Sequence, residues 1–491
     1  MLGKIDLSQK LSKKEFNKIM KSLGERLGLA QRAARDANRP IIIVFEGWRG
    51  SHRSAVINTL MQHMDARGFA VHSTVRFEHD ANQPFFTYFW KNLPADGHIA
   101  VYHRSWYYVK NDCDMNHKHN HHEDEVTKDM TYAHINAFEK VLTDDNYIVL
   151  KYFLHVSEET QAKRMVKQEK TLGKAWREIN PAYDETGRYK EYYKQYDTML
   201  EATDKPNAPW HVVPADDPEV AQLAVFTSIV ESIEKALEIG PQVTPEQKRP
   251  DIKFDELSKY EPYQEMDKKE YEKQLEKYQK KLSKLQIEMF QKGISAVIGF
   301  EGWDAGGKGG AIRRLTAAMD PLGYIVHPVA APNAVERQYN HLWRFWVNLP
   351  NAGQVAIFDR TWYGRVMVER LEGFAKAGEW QRAFDEINDM EEQWTDHGMV
   401  VLKFWLQIDK DEQLRRFTDR QNTPSKVWKI TDEDWRNREK WEVYEDAVNE
   451  MIARTNKPNA PWVVVEGNNK YYARIKVLKA VCEAFEARLE K

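Results

Sequence analysis

The stretch from Gly302 to Gly310 combines glycines and a lysine at a spacing that suits phosphate binding. Gly302 is followed by four residues and then by Gly307 and Lys308, which is the spacing of a P-loop. Glycines let consecutive backbone N–H groups converge on phosphate oxygens, and the lysine adds a positive charge. We therefore predict that Lys308 and the loop glycines bind phosphate; these glycines are Gly302, Gly306, Gly307, Gly309 and Gly310.

Two carboxylates are candidate ligands for Mg²⁺. Most P-loops place a Ser or Thr directly after the lysine to hold the metal, but here that residue is Gly309. Asp304, inside the loop, is therefore the candidate ligand in this segment. A second carboxylate, Asp359, ends the apolar run 355–358 and directly precedes Arg360. Oxygen ligands of this kind suit Mg²⁺, so we predict that Asp304 and Asp359 hold it.

The residues around the loop predict the elements that must position it. Residues 294–298 form a short apolar run typical of a buried parallel strand, and residues 311–319 have helical spacing and good helix formers. A strand, a glycine-rich loop and a helix are the context that a P-loop requires. A glycine-rich match alone would equally fit a tight strand–helix turn, but Lys308 and the pair Asp359-Arg360 favour phosphate binding.

Several motifs occur twice in the chain, at a nearly constant offset of 252 to 256 residues. The matching stretches are 45–48 with 300–303, 90–94 with 346–350, 101–107 with 357–363, and 205–210 with 457–462. This offset predicts two tandem copies of one domain, residues 1–240 and 267–491, joined by a linker at 241–266. Strands that alternate with helices in each copy predict an α/β fold with a parallel sheet covered on both faces.

The first copy lacks the residues on which metal chemistry would depend. At these offsets Arg49 replaces Asp304, and His103 replaces Asp359. Arg53 replaces the loop lysine, and an arginine is bulkier and is not an equivalent phosphate ligand in a tight loop. We predict that the first copy is degenerate and non-catalytic, although its remaining basic residues leave the binding of polyanions open.

A basic segment at 409–429 in the second copy is a candidate lid. Arg416 and Arg420 are four residues apart, so they share one helix face. Arginines on a mobile lid neutralise charge on a transferred phosphoryl group and help to exclude water. The alternative interpretation is a solvated helix with ordinary surface arginines.

The first copy also contains a histidine-rich segment at 112–122, which we predict to be a polar loop. His117, His119, His121 and His122 lie there near Asp112-Cys113-Asp114. Histidines and carboxylates at this density can bind a transition metal. No flanking pattern defines a coordination geometry, however, so a solvated loop is the favoured interpretation.

The composition limits the class of protein. The net charge is −3 with 30% charged residues, which gives no overall basic field for nucleic acid. No apolar run is long enough to span a bilayer, and the N-terminus lacks the apolar segment of a signal peptide. Two cysteines, Cys113 and Cys482, fit a reducing compartment. We expect a cytoplasmic protein without nucleic-acid or membrane partners, and homo-oligomerisation is left open.

The motifs of the second copy together resemble those of the polyphosphate kinase 2 family. The stretches that carry the resemblance are 300–310, 343–346, 358–365, 369–370, 373–374 and 460–462. Fused members with one active and one degenerate copy resemble the class that phosphorylates AMP to ADP from inorganic polyphosphate. The resemblance implies two tandem P-loop kinase-like three-layer α/β/α domains with helical lids, similar to thymidylate kinase.

The resemblance also implies a role for each matching residue. Asp304 and Asp359 would hold Mg²⁺ and orient the acceptor phosphate, Lys308 would cradle phosphate, and Arg360 would stabilise charge in a direct in-line transfer. The lid arginines Arg416 and Arg420 would close over the transferred group. Further basic, lid or nucleotide contacts implied in this way are Arg313, Arg314, Arg344, Arg365, Glu369 and Lys429.

Other functions on the same motifs stay open at this point. ADP or GDP could replace AMP as the acceptor, and an ATP-dependent nucleotide kinase would use the same loop, aspartate and lid. A third alternative is a non-enzymatic regulator that binds polyphosphate or nucleotide. The intact Asp304, Lys308 and Asp359 argue against this last interpretation.

Overall fold

The computed structural model describes residues 1–74, 83–120, 130–172, 185, 187–248 and 252–490; within these ranges it leaves the side chains of 116–120 and 172 undescribed. The chain divides into two compact units. Residues up to Val243 form most of the first unit, together with Ala334–Asn340, and the second unit consists mainly of the rest from Thr244 onwards. Among the described helices, none is both long and apolar enough to cross a membrane.

The first unit contains one five-stranded parallel sheet. Its strands are β1 (Ile41–Gly47), β2 (Phe69–Ser73), β3 (Ile99–His103), β4 (Ile148–His155) and β5 (Trp210–Pro214), in the spatial order β2-β3-β1-β4-β5. The α-helices described in this unit are Lys13–Asp36, Arg53–Gln62, Thr87–Lys91, Trp106–Asn120, Tyr132–Asp144, Glu158–Leu172, Tyr189–Thr203 and Pro218–Ile239.

The second unit repeats this topology. Its strands are β6 (Ala296–Gly302), β7 (Tyr324–Pro328), β8 (Val355–Asp359), β9 (Val400–Gln407) and β10 (Trp462–Glu466), all paired in parallel in the order β7-β8-β6-β9-β10. Its described α-helices are Lys268–Gln291, Lys308–Thr316, Trp343–Trp346, Val368–Leu371, Ala377–Asp396, Lys410–Gln421, Asp432–Glu439, Trp441–Thr455 and Lys470–Leu489. The predicted duplication of one α/β fold is therefore confirmed.

Helices cover both faces of the second sheet. Neighbouring residues of a strand point to opposite faces, so one strand contacts the helices on both sides. On one side, Phe404 lies in a buried apolar cluster with residues of the helices Lys268–Gln291 and Lys470–Leu489. On the other side, the adjacent Lys403 bonds to the helix Ala377–Asp396. These contacts give the three layers that the sequence predicts.

Several element boundaries differ from the sequence-based expectation. The strand before the glycine-rich loop is Ala296–Gly302 rather than 294–298, and the helix after it is Lys308–Thr316 rather than 311–319. Apolar periodicity identifies the buried positions of an element, whereas its ends depend on caps and tertiary contacts.

The predicted polar loop at 112–122 is wrong as far as Asn120. Residues Trp106–Asn120 form a helix, and Met115 on it is only 1% exposed. Burial of that face outweighs the weak helix propensity of Asp, Asn and His. His121 and His122 lie outside the described residues, as do the side chains of the two other histidines. In the described part of the chain no cluster of three or more His, Cys, Asp or Glu is placed to hold a metal.

A buried lysine joins the second sheet to two helices. Lys403 on β9 is 1% exposed, and its Nζ donates to Glu391 Oε2 at 2.6 Å, Tyr363 Oη at 2.9 Å and the Thr455 carbonyl at 2.8 Å. Burial lowers the pKa of Lys403, and the adjacent Glu391 carboxylate opposes this shift. All three ammonium protons therefore have acceptors, which a buried charge requires.

The first unit contains the same network. Lys151 on β4 donates to Glu139 Oε2 at 2.7 Å, to Tyr107 Oη at 2.9 Å and to the Thr203 carbonyl at 2.9 Å. Each of its residues lies 252 to 256 positions before its counterpart in the second unit. The network therefore belongs to the common fold.

Removal of the buried carboxylate tests the stabilising role of this network. Glu391→Gln leaves the Lys403 ammonium buried without a counter-charge, so we expect the free energy of unfolding to fall by about 3–5 kcal/mol. Glu139→Gln should have a similar effect on the first unit. Urea denaturation followed by circular dichroism measures both changes. The control is Glu272→Gln, which removes an exposed pairing with Lys268 at 3.7 Å and should have no measurable effect. Equal stability of Glu391→Gln and this control would contradict the prediction.

Candidate active site

The glycine-rich loop, residues 302–310, adopts backbone conformations that favour glycine. Gly302 has φ of 146°, and a Cβ atom there would lie 2.7 Å from backbone atoms of Leu406. Ala305 and Gly307 also have positive φ values, 60° and 114°, so the chain turns sharply before the helix Lys308–Thr316. Only glycine adopts such values without strain as a rule.

The loop leaves several backbone donors available for an anion. Within the described residues, the N–H groups of Gly307, Lys308 and Gly309 have no hydrogen-bond acceptor. They lie at the start of a helix, where the dipole favours negative charge. Lys308 Nζ donates to the Gly302 carbonyl at 2.7 Å, so the lysine lies across the loop. This arrangement suits phosphate binding.

The end of β8 lies beside the loop because Phe300 pairs with Asp359 in the sheet. At the following residue, Arg360, the chain takes φ of 68°, and the Arg360 N–H donates to the Phe300 carbonyl at 3.0 Å. Arg360 Nη2 lies 3.9 Å from Asp304 Oδ1, and its side chain is 54% exposed. The structure therefore brings Asp304, Asp359 and Arg360 together, as the sequence predicts, and their chemical roles stay predictions.

A cleft of about 820 Å³ lies over the loop. Asp304, Lys308, Asp359 and Arg360 all line it, as do the loop glycines Gly306, Gly307, Gly309 and Gly310. Cations from the helix after the loop and from more distant parts of the chain also line this cleft; they are Arg313, Arg314, Arg416, Arg420, Lys426, Lys429, Lys470 and Arg474. The sequence analysis missed Lys426, Lys470 and Arg474. The four-residue spacing of Lys470 and Arg474 on one helix was the available signal.

A buried carboxylate supports the corner after β8. Glu301 Oε1 accepts hydrogen bonds from the Thr361 N–H at 2.7 Å and from Thr361 Oγ1 at 2.8 Å. Burial raises the pKa of Glu301, and the charges of Lys308 and Arg360 with the Thr361 bonds oppose this shift. The sequence analysis did not identify Glu301, although its motif Phe-Glu-Gly-Trp occurs in both copies.

Side chains from two helices that follow β9 hold Asp304. Asn437 Nδ2 donates to Asp304 Oδ2 at 2.9 Å, and Gln413 Nε2 donates to the Asp304 carbonyl at 3.1 Å. Tyr444 Oη lies 3.3 Å from Asn437 Oδ1. These three residues line a smaller cavity of about 100 Å³ next to the loop, which also contains Trp303, Trp405, Met367 and Val368. Sequence analysis missed them because their helices are more than 100 residues from the loop.

The two predicted lid arginines lie on one helix but in different surroundings. Arg416 is 3% exposed and bonds to backbone carbonyls of the loop at Ala305 and Gly306. Arg420 is partly exposed, and its Nη1 donates to the Lys429 carbonyl at 2.9 Å. Both line the cleft.

Four predicted residues do not line the cleft: Gly302, which lines the smaller cavity instead, and Arg344, Arg365 and Glu369. Arg344 Nη1 donates at 2.9 Å to the carbonyl of Ala330, a residue that does line the cleft. Arg365 forms an ion pair with Glu369 at 2.9 Å and lies 3.6 Å from Glu379. These contacts tie neighbouring segments of the second unit together.

Comparisons with known proteins agree with this geometry. A family model described as polyphosphate kinase 2 (PPK2) matches the chain twice, over residues 10–240 and 265–491. The chain belongs to the polyphosphate kinase 2 family. The double match covers both units, so the resemblance that the motifs indicate is confirmed.

Relatives within the polyphosphate kinase 2 family share the full length of this chain. A polyphosphate:AMP phosphotransferase from Pseudomonas aeruginosa is 35% identical over 507 aligned residues, covering 100% of both chains. A second polyphosphate:AMP phosphotransferase, from Pseudomonas syringae pv. tomato, is 36% identical and covers 92% of this chain and 91% of the relative. The crystal structure of a Pseudomonas aeruginosa protein described as a polyphosphate kinase 2 superposes with a TM-score of 0.87 at 35% identity, over 100% of this chain and 99% of that one.

The first polyphosphate kinase 2 unit keeps the shape of the loop but not its chemistry. His52 takes the left-handed conformation of Gly307, with φ of 62°, and the Arg53 guanidinium donates to the Gly47 carbonyl as Lys308 does to Gly302. Arg53 is buried, and Glu185 accepts a hydrogen bond from the Arg49 N–H at 2.7 Å. The cationic side chain at the lysine position is therefore buried in the first unit and hydrogen-bonded to its backbone.

His103 occupies the position of Asp359 in this first polyphosphate kinase 2 unit. Burial, with the nearby charges of Arg53 and Arg104, lowers the pKa of His103 to about 3. The imidazole is therefore neutral at physiological pH. A neutral ring beside two arginines does not reproduce the carboxylate at the end of β8 as a ligand for Mg²⁺. That the first unit is non-catalytic stays a prediction.

Alanine substitutions at two loop glycines test the geometry of this polyphosphate kinase 2 site. Gly302→Ala places a methyl group against the Leu406 backbone at a positive φ, so we expect a loss of more than about 2 kcal/mol in the free energy of unfolding. Gly309→Ala is the matched control, because a Cβ atom there has open space. Chemical denaturation measures the free energy of unfolding of both variants. A Gly302→Ala protein as stable as Gly309→Ala would show that this close approach is not required.

Proposed function

We propose that this protein transfers the terminal phosphoryl group of inorganic polyphosphate to AMP, producing ADP and a chain shortened by one phosphate. The reaction forms a bond from an AMP phosphate oxygen to the terminal phosphorus and breaks the adjacent bridging P–O bond. The observation that carries this proposal is the cleft of the second unit. There the loop amides that have no acceptor among the described residues, the Lys308 side chain and several further cations adjoin the carboxylates Asp304 and Asp359. The names of the full-length relatives support the same substrates.

Asp304 and Asp359 fit a divalent cation. Both line the cleft, and within the described residues the Asp359 carboxylate has no hydrogen-bond or ion-pair partner. Carboxylate oxygens suit Mg²⁺, and no Ser or Thr follows Lys308 to take that role. These two residues would hold Mg²⁺, which would supply positive charge to neutralise the phosphates.

The remaining loop and corner residues bind and stabilise phosphate. The N–H groups of Gly307, Lys308 and Gly309 donate hydrogen bonds to phosphate oxygens, and Lys308 adds a point charge. The exposed Arg360 guanidinium, 3.9 Å from Asp304, stabilises the charge that the transferred group carries in an in-line displacement. Arg420 and Lys429 neutralise further charge from the lid side.

The donor chain follows the basic wall formed by Arg313, Arg314, Lys426, Lys470 and Arg474. The state of Lys470 supports a polyanionic ligand: burial lowers the pKa of Lys470, and the cations Arg416 and Arg415 lower it further. A positive charge repelled by its neighbours is stabilised when an anion binds among them. A long polyphosphate chain supplies such charge over several contacts.

The acceptor nucleotide binds where the smaller cavity meets the cleft, at Asp304, Lys308 and Arg360. These three residues line both spaces, so a phosphate placed there contacts the same groups as the transferred phosphoryl. Trp303 and Trp405 provide aromatic surface in the cavity, which suits the apolar parts of a nucleoside.

A donor comparison tests the proposed reaction. We expect purified protein with Mg²⁺ and AMP to form ADP from long-chain polyphosphate but not from ATP. Asp359→Asn removes a metal ligand and should lower kcat/KM by at least about 100-fold. His103→Asn, at the same place in the first unit, should leave the rate unchanged. ADP formed only from ATP would make the protein an ordinary nucleotide kinase, and full activity of Asp359→Asn would place the metal elsewhere. Replacement of AMP by ADP or GDP tests the other acceptors.

Removal of a single wall cation tests the path of the donor chain. Arg474→Gln deletes a charge-assisted contact, so we expect KM for polyphosphate to rise about five- to tenfold, with KM for AMP nearly unchanged. Lys479→Gln on the same helix is the control, because its exposed side chain lies outside the cleft lining. Steady-state rates over a range of both substrates measure these changes. Equal effects on both substrates would argue against a donor track along this helix.

A further inference from the structure

Arg416 uses every hydrogen-bond donor of its guanidinium group. Nε donates to Glu412 Oε1 at 2.5 Å. Nη1 donates to the carbonyls of Ala305 at 2.8 Å and Gly306 at 3.0 Å, both in the glycine-rich loop. Nη2 donates to the carbonyls of Gly467 at 2.6 Å and Asn468 at 3.3 Å, directly after β10. Because a guanidinium has five N–H donors, none remains for a ligand.

The first unit contains a matching arginine. Arg164 lies 252 residues before Arg416, which is the offset between β4 and β9. Arg164 Nη1 donates to the Gly50 carbonyl at 2.8 Å and to the Ala215 carbonyl at 2.9 Å, and Nη2 donates to the Asp216 carbonyl at 2.7 Å. The contact between the loop and the end of the last strand is thus present in both units, although the first lacks Asp359 and the loop lysine.

This duplication argues against a lid role for Arg416. A residue needed only to neutralise a transferred phosphoryl group would have no function in a unit without the catalytic carboxylates. Arg420, one turn later on the same helix, behaves differently: it is partly exposed and makes one bond to the lid backbone. Gln168 stands at its position in the first unit. The two arginines therefore differ in function.

The peptide geometry shows how Arg416 acts on phosphate binding. In a trans peptide, the C=O and the N–H point in opposite directions. By holding the Gly306 carbonyl on the side of β10, Arg416 turns the N–H of Gly307 towards the opposite side. That N–H is one of the donors without an acceptor in the described residues. Glu412 offsets the charge of Arg416, so orientation of the loop is its main effect.

We propose that Arg416 is a positioning residue that orients the amides of the glycine-rich loop for phosphate, and that it does not contact the transferred group. The inference rests on the proposed function in that the oriented amides bind the phosphates of polyphosphate or AMP. Of the two arginines, only Arg420 then contacts the transferred group from the lid.

Matched lysine substitutions in the two units test this role. Arg416→Lys keeps the charge, but a single ammonium with three donors does not span both pairs of carbonyls. Arg164→Lys makes the same change where no catalytic loop depends on it. We expect both variants to lower the melting temperature to a similar extent. Only Arg416→Lys should weaken the binding of inorganic tripolyphosphate, measured by calorimetry without nucleotide, by about 10- to 100-fold.

The kinetic readout separates positioning from a lid contact. If Arg416 orients the loop, KM for polyphosphate rises with the loss of tripolyphosphate affinity. Unchanged tripolyphosphate affinity with a reduced kcat would overturn the inference, because it would mean that Arg416 acts on the transferred group. Equal loss of affinity in Arg164→Lys would also overturn it, since the effect would then be general.

A second variant covers the case in which Arg416→Lys does not fold. Glu412→Gln keeps the arginine and its carbonyl bonds but removes the charge that holds Nε, and should weaken tripolyphosphate binding about threefold. Unchanged affinity in that variant would then overturn the inference. The calorimetric test does not require turnover. If wild-type protein binds tripolyphosphate yet transfers nothing from polyphosphate, the proposed function fails while the role of Arg416 is still decided.

Discussion

A buried carboxylate at the end of each central strand holds the surrounding loops in place. Glu301 accepts two hydrogen bonds from Thr361, and Glu46 accepts the same two from Ser105 at 2.8 and 2.9 Å. These bonds stabilise the corner at Arg360, whose φ of 68° is costly for a side chain larger than glycine. A buried Glu301 carboxylate without partners would be strongly destabilising, so it requires the Thr361 bonds and the nearby cations. The corner at Arg360 in turn depends on the Thr361 bonds. The position of Asp359 relative to the glycine-rich loop follows from this arrangement.

The two units share their framework and differ in the charges of the loop and cleft. The Lys403 network, the Glu301 contacts and the Arg416 contacts each have a counterpart in the first unit, where Lys151 and Arg164 take the equivalent positions. Such contacts satisfy buried polar groups, and their loss would destabilise any copy of the fold. Cations close together in a cleft repel one another, so they do not stabilise the fold unless an anion binds among them. A unit that does not bind phosphate can therefore lose them. In the first unit, which we predict to be non-catalytic, Thr59 and Gln222 stand where the second unit has Arg314 and Arg474.

Local chemistry explains why much of the site could be predicted from the sequence. Gly302 is needed because the backbone takes a positive φ there and a Cβ atom would meet the Leu406 backbone. Asp359 is predictable because a carboxylate at the end of an apolar run marks the carboxyl edge of a parallel sheet. The histidine-rich segment was mistaken for a loop because polar composition does not show which helix face is buried; Met115 provides that burial. Glu301 was overlooked because a carboxylate inside an apolar strand gives no local sign of its partner.

The sequence by itself determined the duplication of the fold, the glycine-rich loop and the two carboxylates beside it, because each depends on residues close together in the chain or on a constant offset. Only the tertiary structure decided which cations reach the cleft. Lys470 and Arg474 arrive from the last helix, whereas Arg365 is engaged with Glu369. Arg416 and Arg420 share a helix face by spacing, but burial against the loop carbonyls distinguishes them. Helical periodicity specifies a face, and contacts between segments more than 100 residues apart decide what that face meets.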